Sequence, residues 1–496
     1  MLSSSIVNSL QSSMAGMYRY GGNSLQSGYI ARWVEGVDII GESSITLTTG
    51  TFADLLAASW AFPDTTVMRT LDTLEGGGVF FDGSDTPIVR FGIEWYELLN
   101  TSFVWIGRRG IVGYDETQAA KSAQIIRYLG APDSDLYLGQ VATHAGVPTS
   151  SVDSAQQIMS RSYHVTNQDL TGMRLVFDSF YGEEVAHGGD ATIKASIEYP
   201  AGTFTLVTFA VGAASGTIPS GSNIISDVVD VDIPANAAFY VRSFLTSATR
   251  IVYRICTNQV AAGLGEGAQY GVTTPDLTAG GAVAQRNIVY TPSAIIAPTR
   301  KDSVLVLGDS RNSPGKDSGT VGNTNYGQVS PVLFNLKIPF ISAAIPGGTA
   351  GVLAGVNGTI RCVLSNYTNK VICACGENDR KTNTTSQVLA LLASVRARLN
   401  TRNTVHQTTI TPYTTSTDSW ATVENQTISY ASTYDTLNAA IRAGISGNGS
   451  FIEITRLVES TTDSGKWTPG YTADGEHENH TACAAIHAIV VMPTFV

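Results

Sequence analysis

One stretch of the chain limits its fold more than any other. Ser303 opens an unbroken apolar run, Val304-Leu305-Val306-Leu307, which ends at Gly308. Runs this short and apolar are typical of strands buried on both faces, and such strands belong to parallel sheets. Further runs of this kind are Ile338 to Ala343, Lys370 to Cys375, His406 to Ile410 and Phe451 to Ile454. Helical patterns lie among them at Gln387 to Arg402, Tyr434 to Ala443 and Ala482 to Val491. Strand alternating with helix predicts a parallel sheet with helices on both faces. Residues 299–496 are read as one α/β domain, with Pro292, Pro298 and Lys301 marking the linker before it.

Upstream the pattern changes. Within Ala191 to Tyr199, Ile193, Ala195, Ile197 and Tyr199 alternate with Lys194, Ser196 and Glu198, the period-two signature of a half-buried strand. Phe204 to Val211, Val228 to Ile233, Ala238 to Leu245 and Arg250 to Cys256 continue the series. Turns separate them at Pro200-Ala201-Gly202, Pro219-Ser220-Gly221 and Pro234-Ala235-Asn236. Short, regularly spaced strands predict a β-sandwich over residues 166–298. Residues 1–165 are mixed α+β, with helical patterns at Glu116 to Leu129 and Val152 to Arg161 and β-like runs at Ser44 to Thr49 and Phe103 to Ile106. This region is read as serving attachment or oligomerisation. The chain of 496 residues is thus multidomain α/β plus β, without an internal repeat.

Composition removes several classes. With 43% apolar and only 14% charged residues, the chain is neither disordered nor a coiled coil. Forty-nine glycines, with Ser and Thr throughout, favour turn-rich β-structure. The net charge is −11 and no basic run is present, so neither a nucleic acid nor a charged membrane surface is an expected partner. No stretch approaches the roughly 20 apolar residues that a membrane helix needs. Met1 to Asn8 lacks both a positive segment and an apolar core, so no standard signal peptide is read there. The five cysteines, Cys256, Cys362, Cys373, Cys375 and Cys483, are odd in number and scattered, which predicts buried thiols rather than a disulfide framework.

Chemistry gathers at four places. Gly308-Asp309-Ser310 follows the first strand of the α/β domain, where open α/β sheets bind their ligands. A serine there is placed for chemistry, although it can also merely cap a helix. A serine hydroxyl needs a base, and the base needs an orienting carboxylate. Asp474-Gly475-Glu476-His477 offers both at a spacing that lets the carboxylate reach the imidazole. His480 is a rival for the base, and His487 is read as structural. Gly376-Glu377-Asn378-Asp379 follows the strand ending at Cys375. The Asn378 amide there is a candidate oxyanion donor, and the alternative is that Asn378 or Asp379 caps the helix behind it. Pro346-Gly347-Gly348-Thr349 follows the strand at 338–343, and a glycine there lets a backbone N–H approach a substrate oxygen.

The order of these four blocks resembles the SGNH (GDSL-type) hydrolase family. The resemblance covers residues 301–496; the third block, Gly-Glu-Asn-Asp, fits the family pattern, and the first reads Gly-Asp-Ser-Arg instead of Gly-Asp-Ser-Leu. It implies a flavodoxin-like three-layer α/β/α fold and a serine esterase without metal or organic cofactor. Ser310 is then the nucleophile, His477 the general base and acid, and Asp474 the residue that orients it. The oxyanion hole comprises the N–H groups of Ser310 and Gly347 and the side chain of Asn378, with Gly348 a rival for Gly347. Arg311 puts a charge beside the nucleophile that bears on substrate choice. Many members remove O-acetyl groups from polysaccharides, so an acetylated polysaccharide is the implied substrate.

The remaining signals are weaker. Asp227, Asp230 and Asp232 are candidate calcium ligands, but the spacing of the last two simply places both on a strand's solvent face, and no metal is expected. Gly263-Leu264-Gly265-Glu266-Gly267 is read as a flexible loop. Tyr18, Tyr20, Trp33, Trp60, Trp95, Tyr96 and Trp105 are read as core and interface aromatics that have sugar stacking as an alternative. The whole arrangement resembles a bacteriophage tail or other virion protein, which implies a homo-oligomer, a trimer if a fibre, in contact with other virion proteins on the particle's exterior. Alternatives are an adhesion protein that binds glycan without turnover, and a bacterial carbohydrate esterase or lipase. The polar segment Arg311, Asn312, Ser313, Lys316 and Asp317 speaks against long acyl chains.

Overall fold

The computed structural model describes residues 77–81, 87–91, 94–99, 102–108, 137–210, 212–255, 264–284, 288–313, 327–445 and 449–495. The expected helix at 116–129, the run at 44–49, Cys256, Lys316, Asp317 and the aromatics Tyr18, Tyr20, Trp33 and Trp60 lie outside these residues. Among the described residues no helix is long and apolar enough to cross a membrane.

Strands β1 (Gly77–Phe81), β2 (Pro87–Phe91), β3 (Glu94–Leu99) and β4 (Ser102–Arg108) pair in sequence order as an antiparallel sheet. The run expected at Phe103 to Ile106 falls in β4.

Next come β5 (Tyr137–Gln140), β6 (Ala145–Gly146), β7 (Gln157–Val165), β8 (Arg174–Asp178), β9 (Ala191–Glu198), β10 (Phe204–Leu206), β11 (Asn223–Ile225), β12 (Ala238–Ser247), β13 (Gly267–Gly271) and β14 (Ala294–Thr299). Two antiparallel sheets result, one ordered β10-β9-β12-β7-β13 and the other β11-β8-β14-β5. Ile158, Ile193, Val241 and Leu245 of the first share one apolar core with Val141, Leu175, Phe177 and Ile295 of the second.

Several expectations are corrected here. Val152 to Arg161 is not a helix: β7 begins at Gln157 and pairs with β12 from Gln157 to Val165. That pairing also carries the sheet across the boundary drawn between 165 and 166. The segment misleads because Ser160, Ser162 and His164 are polar yet buried. Ser160 Oγ accepts from the N–H of Tyr290 (2.9 Å), Ser162 Oγ bonds His164 Nε2 (2.8 Å), and His164 Nδ1 bonds the carbonyl of Thr143 (2.9 Å). Buried polar groups satisfied in this way are tolerated in a core, and they erase the apolar alternation that marks a strand. Val228 to Ile233 forms isolated bridges through Val229 and Ile233 instead of a regular strand. The flexible reading of Gly263 to Gly267 also fails where it is described. Gly267 starts β13, and Glu266 is buried and accepts from the N–H of Tyr163 at 2.6 Å. Asp230 and Asp232 are exposed, but they lie between two isolated bridges and not on a strand, so the strand-face reading fails as well.

The rest of the chain forms a parallel sheet. Its strands are β15 (Val304–Gly308), β16 (Phe340–Ser342), β17 (Lys370–Ala374), β18 (Thr404–Thr408) and, beyond a hairpin of β19 (Thr414–Ser416) and β20 (Gln426–Ile428), β21 (Phe451–Ile452). The order is β21-β18-β17-β15-β16-β6, parallel throughout. All five residues of β15 are buried, as a run apolar on both faces requires. The strands of 299–496 alone follow the doubly wound order 2-1-3-4-5, whose direction of winding reverses between β15 and β17. The sixth strand, β6, comes from upstream.

The helices are α1 (Ser330–Asn335), α2 (Ala350–Ala354), α3 (Thr359–Val363), α4 (Thr385–Ala397), α5 (Ala431–Ala443), α6 (Thr455–Val458) and α7 (His480–Ile489). A capping box starts α4: the Thr384 side chain accepts from the N–H of Gln387, and the Gln387 side chain accepts from the N–H of Thr384. Val304, Val306 and Ile372 pack with Leu333 of α1, Trp467, and Ala482 and Ile486 of α7.

Candidate active site

The four motif segments meet at the carboxyl ends of β15, β16 and β17, beside the point where the winding reverses. β15 ends at Gly308, and the chain turns at once: the carbonyl of Asp309 accepts from the N–H groups of Asn312 (3.1 Å) and Ser313 (2.9 Å). This turn presents Ser310, which is 6% exposed. Ser310 Oγ lies 2.8 Å from His477 Nε2, and His477 Nδ1 lies 2.8 Å from Asp474 Oδ2. An ionised carboxylate only accepts, so Nδ1 carries the proton and Nε2 is left to accept from the serine hydroxyl. The opposite carboxylate oxygen of Asp474 accepts from the N–H groups of Glu476 (2.9 Å) and His477 (2.8 Å). Partial burial is the largest single influence on this carboxyl and favours its protonated form. The His477 ring and the two N–H donors together outweigh it and hold Asp474 well below the usual carboxylate range.

The serine's hydrogen bond goes to His477, not to the rival His480, which instead begins α7. His487 Nε2 lies 2.8 Å from the carbonyl of Gly327, a tie between helix and loop that matches its structural reading.

The glycine and asparagine blocks are joined to each other. Asn378 Nδ2 donates to the carbonyl of Gly348 at 3.1 Å. The N–H of Gly348 is engaged by the carbonyl of Ile345 (2.9 Å), whereas Gly347 is exposed and adopts a φ of +78°. The capping alternative for Asn378 and Asp379 fails for the helix behind them, since no side chain caps the short turn at Asp379–Lys381. Asp379 reaches the other block instead: its carboxylate accepts from the N–H groups of Ala350 (2.9 Å) and Gly351 (3.1 Å), the first residues of α2. Thr349 completes that cap by accepting from the N–H of Val352 at 3.0 Å.

Behind Ser310 lies a buried charged cluster that sequence reasoning missed. Arg311 does not face substrate. Its side chain is 2% exposed and turned inward, which corrects the expectation that it bears on substrate choice. Nη2 donates to the carbonyl of Glu476 at 2.6 Å and lies 3.0 Å from Glu377 Oε1, and Nη1 lies 3.7 Å from Asp309 Oδ2. Glu377 also pairs with the buried Arg380 and accepts from the N–H of Thr411 at 2.9 Å. Asn312 and Ser313 are buried as well, so the described part of the polar segment does not argue about acyl length. Burial pushes the Asp309 carboxyl up to about 6; Arg311 opposes this and Glu377 adds to it. Glu478 is raised too, chiefly by burial. The signal was available. Few residues of this chain are charged, yet Asp309, Arg311, Glu377, Asp379 and Arg380 all fall in the short segments after two buried strands.

The loop carrying His477 is held from further sides. Lys381 Nζ bonds Glu476 Oε1 at 2.7 Å and sits 4.9 Å from the centre of the Tyr413 ring. Gly475, at φ +76°, gives its carbonyl to the indole N–H of the fully buried Trp467 (2.9 Å) and to the N–H of Thr414 (2.9 Å). Glu478 accepts from Gln328 Nε2 at 2.7 Å. Among the described residues, no three His, Cys, Asp or Glu side chains gather as a metal site. Cys362, Cys373, Cys375 and Cys483 are buried, and none of them is in a disulfide.

No family model and no curated protein matches the chain. Solved structures similar to it include a member of the lipolytic G-D-S-L family from Veillonella parvula, at 13% identity and a TM-score of 0.28, covering 38% of this chain and 94% of that one. A variant of an acetyl-xylooligosaccharide esterase from Geobacillus stearothermophilus is similar at 15% identity and a TM-score of 0.27, covering 38% and 91%. A family two carbohydrate esterase from Clostridium thermocellum is similar at 12% identity and a TM-score of 0.26, covering 71% and 95%.

Proposed function

We propose that the chain is a serine ester hydrolase of the SGNH type that removes O-acetyl groups from polysaccharide. The observation that carries this reading is the unbroken line of hydrogen bonds from Ser310 through His477 to Asp474, set at strand ends beside the Asn378 amide. In the proposed cycle, Ser310 Oγ attacks the ester carbonyl while His477 Nε2 takes its proton. The oxyanion is met by the N–H groups of Ser310 and Gly347 and by Asn378 Nδ2. Gly347 is favoured over Gly348 because the N–H of Gly348 already has an acceptor. His477 then returns the proton to the departing sugar hydroxyl, and a water activated by the same ring releases acetate from Ser310. One donor of this kind contributes roughly 3–4 kcal/mol to such a barrier.

Polar and aromatic neighbours of the His477 loop, namely Glu476, Lys381 and Tyr413, support a hydroxyl-rich substrate over a long acyl chain. The low charge and the Gly-, Ser- and Thr-rich composition support a place on a phage exterior, and a homo-oligomer is part of that placement. The deciding experiment is acetate release from a panel of O-acetylated bacterial polysaccharides, with Ser310→Ala as control. Release by the wild type alone is expected. A folded wild type that releases nothing and resists fluorophosphonate labelling leaves glycan binding without turnover as the role.

A further inference from the structure

We propose that Arg311 is a positioning residue that sets the His477 ring against Ser310; the assignment rests on the esterase reading. Its guanidinium touches three segments that must stay in register: the nucleophile turn through Asp309, the oxyanion segment through Glu377 and the histidine loop through the carbonyl of Glu476. The last contact is the informative one. The peptide joining Glu476 to His477 is planar. Arg311 holds its oxygen at 2.6 Å, and Asp474 accepts from its N–H at 2.8 Å. Gripped on both edges, that plane fixes the direction in which the imidazole leaves the backbone.

The side chain is 2% exposed, so it is enclosed and has no path to a substrate. Lysine is a poor replacement. An ammonium is a single point of charge, whereas the planar guanidinium keeps Nη2 on the Glu476 carbonyl and the Glu377 carboxylate while Nη1 faces the Asp309 carboxylate. Lys381 grips Glu476 from outside, but that pair is about one quarter exposed and exposed pairs hold weakly.

The test compares wild type, Ser310→Ala, Arg311→Lys and Arg361→Lys on 4-nitrophenyl acetate, each with a thermal unfolding curve. Arg361 is equally buried and pairs with Glu184 instead of with Asp309, Glu377 or Glu476, so it reports the effect of replacing a buried arginine that does not hold the His477 loop. Arg311→Lys is expected to lower kcat about 10- to 100-fold, as misplacing a reacting group by about 1 Å does. KM is expected to stay within twofold, and Arg361→Lys to lower only the unfolding temperature. A kcat within twofold of wild type, a loss no larger than that of Arg361→Lys, or a rise in KM in place of the fall in kcat overturns the assignment. If Arg311→Lys does not fold, Lys381→Met decides: less than a threefold loss leaves Arg311 as the anchor, and a tenfold loss moves the anchor to Lys381. Turnover by the wild type no greater than that of Ser310→Ala overturns the esterase reading, and the positioning role with it.

Discussion

A Cβ placed on Gly348 would stand 2.9 Å from the carbonyl oxygen of Gly308, and equally close to that of Ile345. The turn after β16 therefore lies directly against the end of the strand that delivers Ser310. Both obstacles are backbone atoms, so Gly348→Ala has to move one segment away from the other. We expect a loss of about 1–3 kcal/mol, typical of overpacking, and at least a tenfold loss of ester turnover. Gly347→Ala meets no atom within 4 Å and carries only the strain of a positive φ, which costs about 1 kcal/mol. Urea unfolding of the two variants checks the order.

Asn378 and Asp379 are neighbours with separable tasks. Asn378→Ala removes a half-buried amide and is expected to lower kcat about 10²- to 10³-fold, with stability little changed. Asp379→Ala strips two N–H acceptor contacts from the start of α2. Its expected stability loss is about 1–2 kcal/mol, the upper range for a lost cap. Steady-state kinetics beside urea curves distinguish the pair, and equal profiles for the two variants sink this division of labour.

Asp474→Asn should leave the fold intact and disable the site. An amide in place of the carboxylate favours the wrong imidazole tautomer, and a fall in kcat of roughly 10⁴-fold is expected. The folded carboxyl is depressed, so its contribution to stability is present above the unfolded value near 3.9 and is lost as pH falls through the folded value. The side chain is 52% exposed, so this contribution stays under about 1 kcal/mol. Unfolding of wild type and variant at pH 7 and pH 3 checks both the size and the sign.

Asp309 runs the other way. Its folded carboxyl is raised to about 6 by burial. The unfolded chain therefore gives up this proton first, and Asp309 destabilises the native state progressively as pH rises from about 4 to about 6. Asp309→Asn lacks that titration. Its stability relative to wild type should improve across this interval, by on the order of 2 kcal/mol. Urea midpoints at pH 4 and pH 7 measure it, and a difference that is flat or of opposite slope refutes the assignment.

What the residues disclosed and what they hid have physical explanations. The strands at Val304 and Lys370 announce themselves because burial on both faces leaves no room for polar side chains. The candidate residues Ser310, Asn378, Asp474 and His477 were legible because each follows a glycine turn or sits at a spacing that local chemistry favours. Arg311 was misread because sequence gives adjacency to Ser310 but not direction, and its direction is set by Glu377 and Glu476, 66 and 165 residues away. β7 was misread because partners outside it, the N–H of Tyr290 for Ser160 and the carbonyl of Thr143 for His164, which in turn bonds Ser162, make its buried polar side chains acceptable.

β6 has a further consequence for how this chain is handled and inherited. Only two residues long, it closes the edge of the parallel sheet by pairing Ala145 and Gly146 with Ile341 and Ser342, and the carbonyl of Ser342 also accepts from the N–H of Val147 at 3.0 Å. Pro298, read from the sequence as a linker, lies inside β14 and pairs with Leu138; a protein begun after β14 loses β6 and bares the β16 backbone, an unpaired edge that recruits other strands. A unit that keeps this sheet edge paired therefore starts upstream of Ala145, more than 150 residues before the first motif of the site.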